Sequence, residues 1–135
     1  MLEDPTGGFN IKFGENAGQI WSVLNERGPL KKEDIIKYTK LQENDFYCGV
    51  GWLAREDKIY KDEEGFYKLE NTNLSSTIGT NAGRVWKIMD IWEEVEFPTI
   101  KKLLNKDEEE VYAALGWLAK EDRIYVNNKQ RYSLK

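Results

Sequence analysis

The sequence repeats itself with a constant spacing of 65 residues, and this repeat constrains the fold more than any other feature. Residues 16–70 align with residues 81–135 without a gap. The block Gly-Trp-Leu-Ala at 51–54 recurs at 116–119, and most other aligned pairs are identical or chemically similar. Because the periodicity of amphipathic helices does not by itself produce such a match, the chain contains two copies of one small domain.

The rest of the chain separates or precedes the two copies. Residues 71–77 are polar and contain few core residues, which predicts a connecting segment. Near the N-terminus, Phe9, Ile11 and Phe13 alternate along the chain, which predicts a short extended arm that packs on a domain. We predict an N-terminal arm at 1–15, repeat 1 at 16–70, a linker at 71–80 and repeat 2 at 81–135.

Each repeat has the apolar spacing of three helices and ends in two short strands. In repeat 1, Asn16 is a candidate N-cap of the first helix, Gly28 a candidate residue just beyond its end, and Gly65 a candidate turn residue. The predicted elements of repeat 1 are a helix at 17–27, a strand at 29–30, helices at 32–39 and 44–57, and strands at 59–61 and 66–69. Those of repeat 2 are a helix at 82–91, a strand at Val95, helices at 99–104 and 106–122, and strands at 124–126 and 131–134.

This order of helix, strand, helix, turn, helix and hairpin is that of a winged helix-turn-helix domain. The predicted fold class is therefore α+β, a tandem winged helix-turn-helix with three helices and a small antiparallel hairpin wing per repeat. A domain of about 65 residues buries a modest core and is marginal alone. We therefore expect the two copies to stabilise each other by packing.

The sequence resembles an uncharacterised winged helix-turn-helix family of bacteria and archaea. The residues that carry the resemblance are Asn-Ala-Gly at 16–18 and Gly-Trp-Leu-Ala-Arg-Glu-Asp at 51–57, with counterparts at 81–83 and 116–122. The resemblance covers both repeats, and it implies the fold and an association with DNA binding, but no established activity. Members of the family look like single copies of the domain, so this tandem chain departs from their pattern. We expect it to contain within one chain the dimer that they form from two chains.

The absence of histidine and the presence of a single cysteine, Cys48, exclude several kinds of chemistry. Zinc sites take most of their ligands from cysteine and histidine, and Ser–His or Cys–His catalysis requires a histidine. The acidic runs lie at predicted helix starts and in a turn, and a phosphate-binding glycine loop is missing. We predict a protein that is not an enzyme and that has no metal site and no cofactor.

The same composition bears on location. The longest apolar runs are a few residues, whereas a membrane span needs roughly 20. The first ten residues do not have the pattern of a signal peptide, and a lone cysteine is compatible with a reducing compartment. We expect a cytoplasmic protein without a membrane partner.

The predicted third helix has two different faces. Its core face contains Phe46, Val50 and Leu53 and is expected to include Asp57, as the equivalent face of repeat 2 includes Asp122. The opposite face is a tryptophan ringed by small residues, an arrangement that suits a close helix–helix contact in which the indole buries a large area. This face consists of Trp52, Cys48, Gly49 and Gly51 in repeat 1, and of Trp117, Ala113, Ala114 and Gly116 in repeat 2.

Three interpretations of the tryptophan face stay open. The favoured one is a pseudo-twofold contact between the repeats, which makes the chain a monomer with an intramolecular pseudo-dimer. In the second, Trp52 and Trp117 each pack at the edge of their own domain's core. In the third, the face binds another protein.

The charge distribution lowers the expectation of DNA binding without removing it, because a local basic patch can suffice. The net charge is −4, with 10 basic and 14 acidic residues in 1–70 and 10 of each in 71–135, whereas an electrostatic DNA binder usually has a basic excess. The hairpin of repeat 1 contains three acids at 62–64, so repeat 2 is the better DNA candidate. The candidate nucleic-acid contacts are Lys101, Lys102, Lys106, Asn127, Asn128, Lys129 and Arg131. The favoured interpretation of these lysines is an ordinary solvated face, because surface lysine clusters are common on soluble domains.

Fold and family favour, by a small margin, a non-enzymatic DNA-binding protein that regulates transcription and has double-stranded DNA as its partner. The alternative is a protein-interaction module in which the third-helix tryptophan faces form a pseudo-dimer or a partner interface and DNA is not bound. Salt-dependent binding to random duplex DNA distinguishes the two hypotheses.

Overall fold

A computed structural model of the chain describes the backbone from Pro5 to Lys135 and the side chains from Lys12 onward. The elements of repeat 1 are α1 (Pro5–Arg27), β1 (Leu30–Lys31), α2 (Lys32–Thr39), α3 (Glu43–Arg55), β2 (Ile59–Lys61) and β3 (Phe66–Leu69). Those of repeat 2 are α4 (Ser75–Trp92), β4 (Val95–Glu96), α5 (Phe97–Leu104), α6 (Glu108–Lys120), β5 (Ile124–Val126) and β6 (Arg131–Leu134). The predicted α+β fold, a winged helix-turn-helix present twice, is confirmed.

Each repeat contains a small antiparallel sheet of three strands. In repeat 1, β3 lies between β1 and β2, and in repeat 2, β6 lies between β4 and β5. Ile59 pairs with Leu69, and Ile124 pairs with Leu134, which are the residues 65 positions later. The two hairpin wings therefore share one register, as the ungapped sequence alignment requires.

The helix end and the hairpin turn use left-handed backbone conformations. Gly28 has φ 77° and its N–H donates a hydrogen bond to the Leu24 carbonyl at 2.9 Å, while Gly65 in the hairpin turn has φ 94°. Both glycine predictions are confirmed. In repeat 2 the same two positions hold Glu93 (φ 66°) and Gln130 (φ 62°). A residue with a side chain is strained in the left-handed conformation, so these two positions are less favourable in repeat 2 than in repeat 1.

The first helix of each repeat begins earlier than predicted. The extended N-terminal arm is wrong from residue 5 onward, because α1 is helical from Pro5; residues 1–4 and the side chains of Phe9 and Ile11 lie outside the described residues. Asn16 is not an N-cap but a buried residue inside α1, and Asn81 is its buried equivalent in α4. From residue 75 onward, the predicted linker at 71–80 is also helical.

The additional turns of α1 and α4 pack on the opposite repeat. Phe13 is 5% exposed within the core of repeat 2, and Ile78, at the equivalent position, is 7% exposed within the core of repeat 1. Cys48 and Ala113 join the opposite core in the same reciprocal way. This burial of apolar surface stabilises helix beyond the local N-cap signal, because most helical stability in proteins comes from packing. Each repeat is thus completed by the other.

The aspartates after the third helices do not point into the core. α3 ends at Arg55, and Asp57 is exposed with φ 60°. Its carboxylate accepts hydrogen bonds at 2.8 Å from the backbone N–H of Thr72 and from the side-chain amide of Asn71. Asp122 is exposed in the same conformation and pairs with Lys135. Asp57 therefore attaches the linker to the end of α3, and the predicted inward orientation is wrong.

The interface between the repeats as a candidate functional site

The third helices α3 and α6 cross in direct backbone contact. A Cβ atom built on Gly51 would lie 1.9 Å from the carbonyl oxygen of Ala113, and one built on Gly116 would lie 1.9 Å from that of Cys48. Glycine permits this approach because it has no side chain. Gly51 and Gly116 are equivalent residues, as are Cys48 and Ala113, so the crossing has pseudo-twofold symmetry.

The two tryptophans lie beside the crossing and pack against residues of both cores. The ring of Trp52 covers Gly14 of α1, where an added Cβ would lie 3.2 Å from its Cζ2 atom. Trp117 covers Gly79 of α4 at the same distance. Each indole thus bridges the first helix of its own repeat and the boundary with the other repeat.

Charged residues close the edge of this contact symmetrically. The Arg55 guanidinium lies 5.8 Å from the indole of repeat 2, and the Lys120 ammonium lies 5.4 Å from the indole of repeat 1. Arg55 Nε is 3.0 Å from Glu121 Oε2, and Lys120 Nζ is 3.7 Å from Glu56 Oε2. The two glutamates were not among the residues predicted at the interface. A basic residue followed by an acidic one at the same position of both repeats was the available signal, because a twofold contact can pair them crosswise.

Two of the eight residues of the predicted tryptophan face lie elsewhere. A Cβ atom on Gly49 would lie 2.6 Å from Ile20 Cδ1, so Gly49 faces α1 of its own repeat. Ala114 is buried in the core of repeat 2. The structure brings the other six together between the repeats. Among these, Cys48 is buried, which raises the pKa of its thiol well above its usual range; the charge of Asp45 acts in the same direction.

A cleft of about 660 Å³ opens where α3 and α6 begin. Its lining residues form four equivalent pairs, Gln42 with Asp107, Glu43 with Glu108, Asn44 with Glu109, and Tyr47 with Tyr112. Across the cleft, Tyr47 of repeat 1 interacts with Glu109 of repeat 2, and Tyr112 of repeat 2 interacts with Asn44 of repeat 1. The cleft therefore lies on the pseudo-twofold axis, and its four carboxylates make it negative.

The two tyrosines of the cleft act as neutral hydrogen-bonding groups. Burial raises the pKa of Tyr47, and the nearby Glu109 acts in the same direction. The Lys32 ammonium, 3.1 Å from the Tyr47 hydroxyl, opposes that shift. Burial also raises the pKa of Tyr112. Neither phenol is an acid–base group at neutral pH.

The candidate nucleic-acid contacts lie on α5, on the turn after it and on the wing of repeat 2. Lys101 and Lys102 are exposed on α5, and Lys106 is exposed before α6. Lys101 Nζ lies 3.9 Å from a carboxylate oxygen of Glu108. Within the described part of the chain, no hydrogen bond or ion pair connects these lysines to the wing.

The wing itself uses part of its polar groups internally. Asn127 Oδ1 accepts hydrogen bonds from the backbone N–H groups of Lys129 at 2.9 Å and of Arg131 at 3.0 Å, so this side chain holds the turn. The Arg131 guanidinium lies 3.7 Å from Glu94. Asn128 and Lys129 are exposed. Of the five candidate cations, Lys102, Lys106 and Lys129 form no ion pair with any described residue.

An exposed apolar patch on repeat 2 was not anticipated from the sequence. Ile91 is 77% exposed, Trp92 53% and Leu103 41%. The residues equivalent to Trp92 and Leu103 in repeat 1 are Arg27 and Tyr38, and the Arg27 guanidinium stacks 3.8 Å from the Tyr38 ring centroid. The two positions are thus in contact in repeat 1, and in repeat 2 they hold apolar side chains. We call Ile91, Trp92 and Leu103 the apolar patch.

Two observations limit the chemistry of the described residues. None of their helices has the length and hydropathy needed to cross a membrane. No group of three or more Cys, Asp or Glu side chains among them is arranged to hold a metal ion.

Comparison with known proteins agrees with this architecture. The model of the winged helix-turn-helix domain family DUF2582 matches residues 10–69 and again residues 70–134. The chain therefore belongs to this family and contains its domain twice, as the sequence resemblance implied. An uncharacterised protein of Methanocaldococcus jannaschii is 37% identical over 67 residues, which are 47% of this chain and 90% of that protein. That relative has about the length of one repeat. No solved structure matches the chain.

Proposed function

We propose that this chain is a non-enzymatic binding protein whose third helices hold its repeats together and whose partner is another protein. The observation that carries the proposal is the burial of α3 and α6 between the repeats. A winged helix usually places this helix in the major groove, which requires a free face. Here that face is covered by the other repeat. The single cysteine of the chain, Cys48, suits a cytoplasmic protein.

Electrostatics at the start of the third helices also disfavours DNA in the usual position. In a recognition helix the N-terminal residues approach the bases and the backbone phosphates. Here those residues line the cleft with four carboxylates, and the chain as a whole has a net charge of −4. Phosphates would be repelled from this region.

The apolar patch is the surface that we assign to the protein partner. Exposed, contiguous apolar side chains mark interaction sites, and tryptophan is enriched among the residues that dominate binding energy. Asp90, Glu93 and Glu94 are exposed beside Ile91 and Trp92 in the sequence. A complementary partner has an apolar centre flanked by basic residues.

The test exchanges the patch for its equivalents in repeat 1. The double variant Ile91→Glu, Trp92→Arg keeps the helix but removes the patch, while Arg27→Ala in repeat 1 is the matched control. A partner is first isolated by photo-cross-linking from position 91, and its affinity for the purified chain is then measured. We expect the double variant to lose binding and the control to retain it. Equal affinity for both variants would contradict the proposal.

Duplex DNA bound by α5 and the wing of repeat 2, in a transcription regulator, is the second candidate. Its support is the winged-helix family together with the unpaired, exposed Lys102, Lys106 and Lys129. Three phosphate contacts predict a slope of about −3 in log affinity against log salt. Binding to random duplex DNA that is lost in the Lys129→Glu, Arg131→Glu variant, but not in Lys61→Glu of repeat 1, would favour this candidate. No binding at low salt would remove it.

A further inference from the structure

Charges of both signs surround the apolar patch. Ile91 and Trp92 end α4, and Leu103 lies in α5. Two exposed cations accompany these side chains, Lys87 one turn before Ile91 and Lys102 directly before Leu103. Three exposed acids lie at the end of α4, namely Asp90, Glu93 and Glu94. The patch is thus an apolar centre whose neighbours in the sequence include both acids and cations.

Most of these charges have no partner of opposite sign within the chain. Glu94 lies 3.7 Å from the Arg131 guanidinium. The carboxylates of Asp90 and Glu93 and the ammonium of Lys102, in contrast, form no ion pair with any described residue. Complementary charges around an apolar contact fix its register and favour the matching partner. A surface with unpaired acids and an unpaired cation around an apolar centre can therefore complement a copy of itself.

Repeat 1 has no equivalent of this surface. The positions of the two unpaired acids hold Asn25 and Gly28. The positions of the tryptophan and the leucine hold Arg27 and Tyr38, which stack on each other at 3.8 Å. Each chain therefore has one such patch. A patch that binds its own equivalent across a twofold axis gives a closed pair of chains and leaves no patch free for further growth.

We propose that the apolar patch binds the same patch of a second copy of this chain, giving a twofold-symmetric dimer. In a twofold contact, each pair of facing residues occurs twice, once in each direction. Ile91 and Trp92 of both chains form the apolar centre, and Glu93 of each chain lies opposite Lys102 of the other. This inference rests on the assignment of the patch to a protein partner and names that partner.

The dimer exchanges with single chains, because three apolar side chains form a small centre compared with the roughly 800 Å² per partner of standard interfaces. A Kd of about 50 µM would pair about a quarter of the chains at about 10 µM and about 85% of them at about 1 mM. Sedimentation equilibrium of the full chain across this range measures the average mass. We expect it to rise from near that of one chain toward that of two. A mass that stays at one chain throughout would overturn the proposal.

Charge exchange tests whether the contact is crosswise. Glu93→Lys and Lys102→Glu should each raise Kd about tenfold at low salt, because twofold symmetry changes both pairs at once. An equimolar mixture of the two variants should associate like the wild type, since each lysine then faces a glutamate of the other chain. Glu63→Lys, the same charge change on the wing of repeat 1, is the matched control and should leave Kd unchanged. A mixture that associates no better than either variant alone would contradict the crosswise pairing.

The apolar centre is tested with Trp92→Arg, which introduces the residue of repeat 1 at an exposed position. This variant should stay a single chain up to about 1 mM, a rise in Kd of at least about twentyfold. Circular dichroism checks that it melts like the wild type. Dimers that persist in the folded variant would place the contact elsewhere and overturn the proposal. If the wild type does not self-associate but cross-linking from position 91 yields a different protein, this inference fails and the proposed function stands.

Discussion

In repeat 1 the first helix ends at Arg27, whose guanidinium stacks on Tyr38, whereas repeat 2 holds the exposed Trp92 and Leu103 at these positions. The hairpin turns differ in the same way, with acids at 62–64 and a basic, amide-rich stretch at 127–131. The small residues of the α3–α6 crossing, in contrast, recur in both repeats. Positions in the mutual contact are therefore constrained in both copies at once, while outward positions have diverged.

The largest effect is expected from removing the side chain by which repeat 1 completes the core of repeat 2. Phe13→Ala should lower the free energy of unfolding by about 4 kcal/mol, because truncating a buried phenylalanine loses its transfer free energy and leaves a cavity. Ile78→Ala, the equivalent change, should cost about 3 kcal/mol. Urea denaturation measures both. A loss below about 1 kcal/mol for Phe13→Ala would mean that repeat 2 does not need α1.

The next test concerns the crossing of α3 and α6. Because the crossing has pseudo-twofold symmetry, equivalent substitutions on the two helices should lower stability equally. Gly51→Ala and Gly116→Ala should each cost about 3 kcal/mol, since the new methyl group meets a backbone carbonyl that cannot rotate away. Gly18→Ala and Gly83→Ala are the controls: no heavy atom lies within 4 Å of either new Cβ. In the two control variants the free energy of unfolding should be unchanged or raised by up to about 1 kcal/mol, because alanine has a higher helix propensity than glycine. If the Gly51→Ala variant were as stable as the two control variants, the close crossing of α3 and α6 would be disproved.

A smaller, stabilising effect is expected where repeat 2 carries a strained residue. Glu93→Gly restores the residue that repeat 1 has at its helix end, and should raise the free energy of unfolding by about 1 kcal/mol because φ 66° is unfavourable for a side chain. The reverse change, Gly28→Glu, should lower it by a similar amount. Thermal denaturation compares the two variants. A lower melting temperature for Glu93→Gly would show that the glutamate contributes more than its backbone costs.

The smallest effect concerns the crosswise ion pairs. A double-mutant cycle of Arg55→Ala with Glu121→Ala should give a coupling of about 0.5 kcal/mol, because the Arg55 side chain is nearly half exposed and solvent screens the pair. The longer Lys120–Glu56 pair should give less. Both couplings should shrink when the cycle is repeated at high salt. A coupling that salt leaves unchanged would mean that packing, not charge, links these residues.

Much of the fold was predictable because its signals are local. The bounds of α2, β2, β3, β5 and β6 match the predicted ones, since alternation and turn residues lie within a few positions of each other. The starts of α1 and α4 could not be predicted in this way. Asn16 and Asn81 have the chemistry of N-caps, but burial of Phe13 and Ile78 on the opposite repeat extends both helices past them. The predicted inward orientation of Asp57 was wrong because the helical wheel was continued two residues beyond Arg55, where α3 ends.

The candidate site was partly visible for a different reason. The spacing of small residues around Trp52 recurs around Trp117. A pattern that recurs on the same helix face of both repeats limits the kinds of contact that this face can make. A wheel does not give the direction of the neighbouring helix, so Gly49 was assigned to the wrong side. Tyr47 and Glu109 line the same cleft although they are far apart in sequence, and the alignment alone could not reveal that they meet.

The short connection between β3 and α4 changes how the paired state depends on abundance. Two separate chains that meet through their third helices would be in equilibrium with single chains, and dilution would favour the single form. Here only residues 70–74 connect the halves, and such a short tether gives an effective concentration in the millimolar range. The pair therefore stays assembled at any expression level, including in a cell that holds only a few copies.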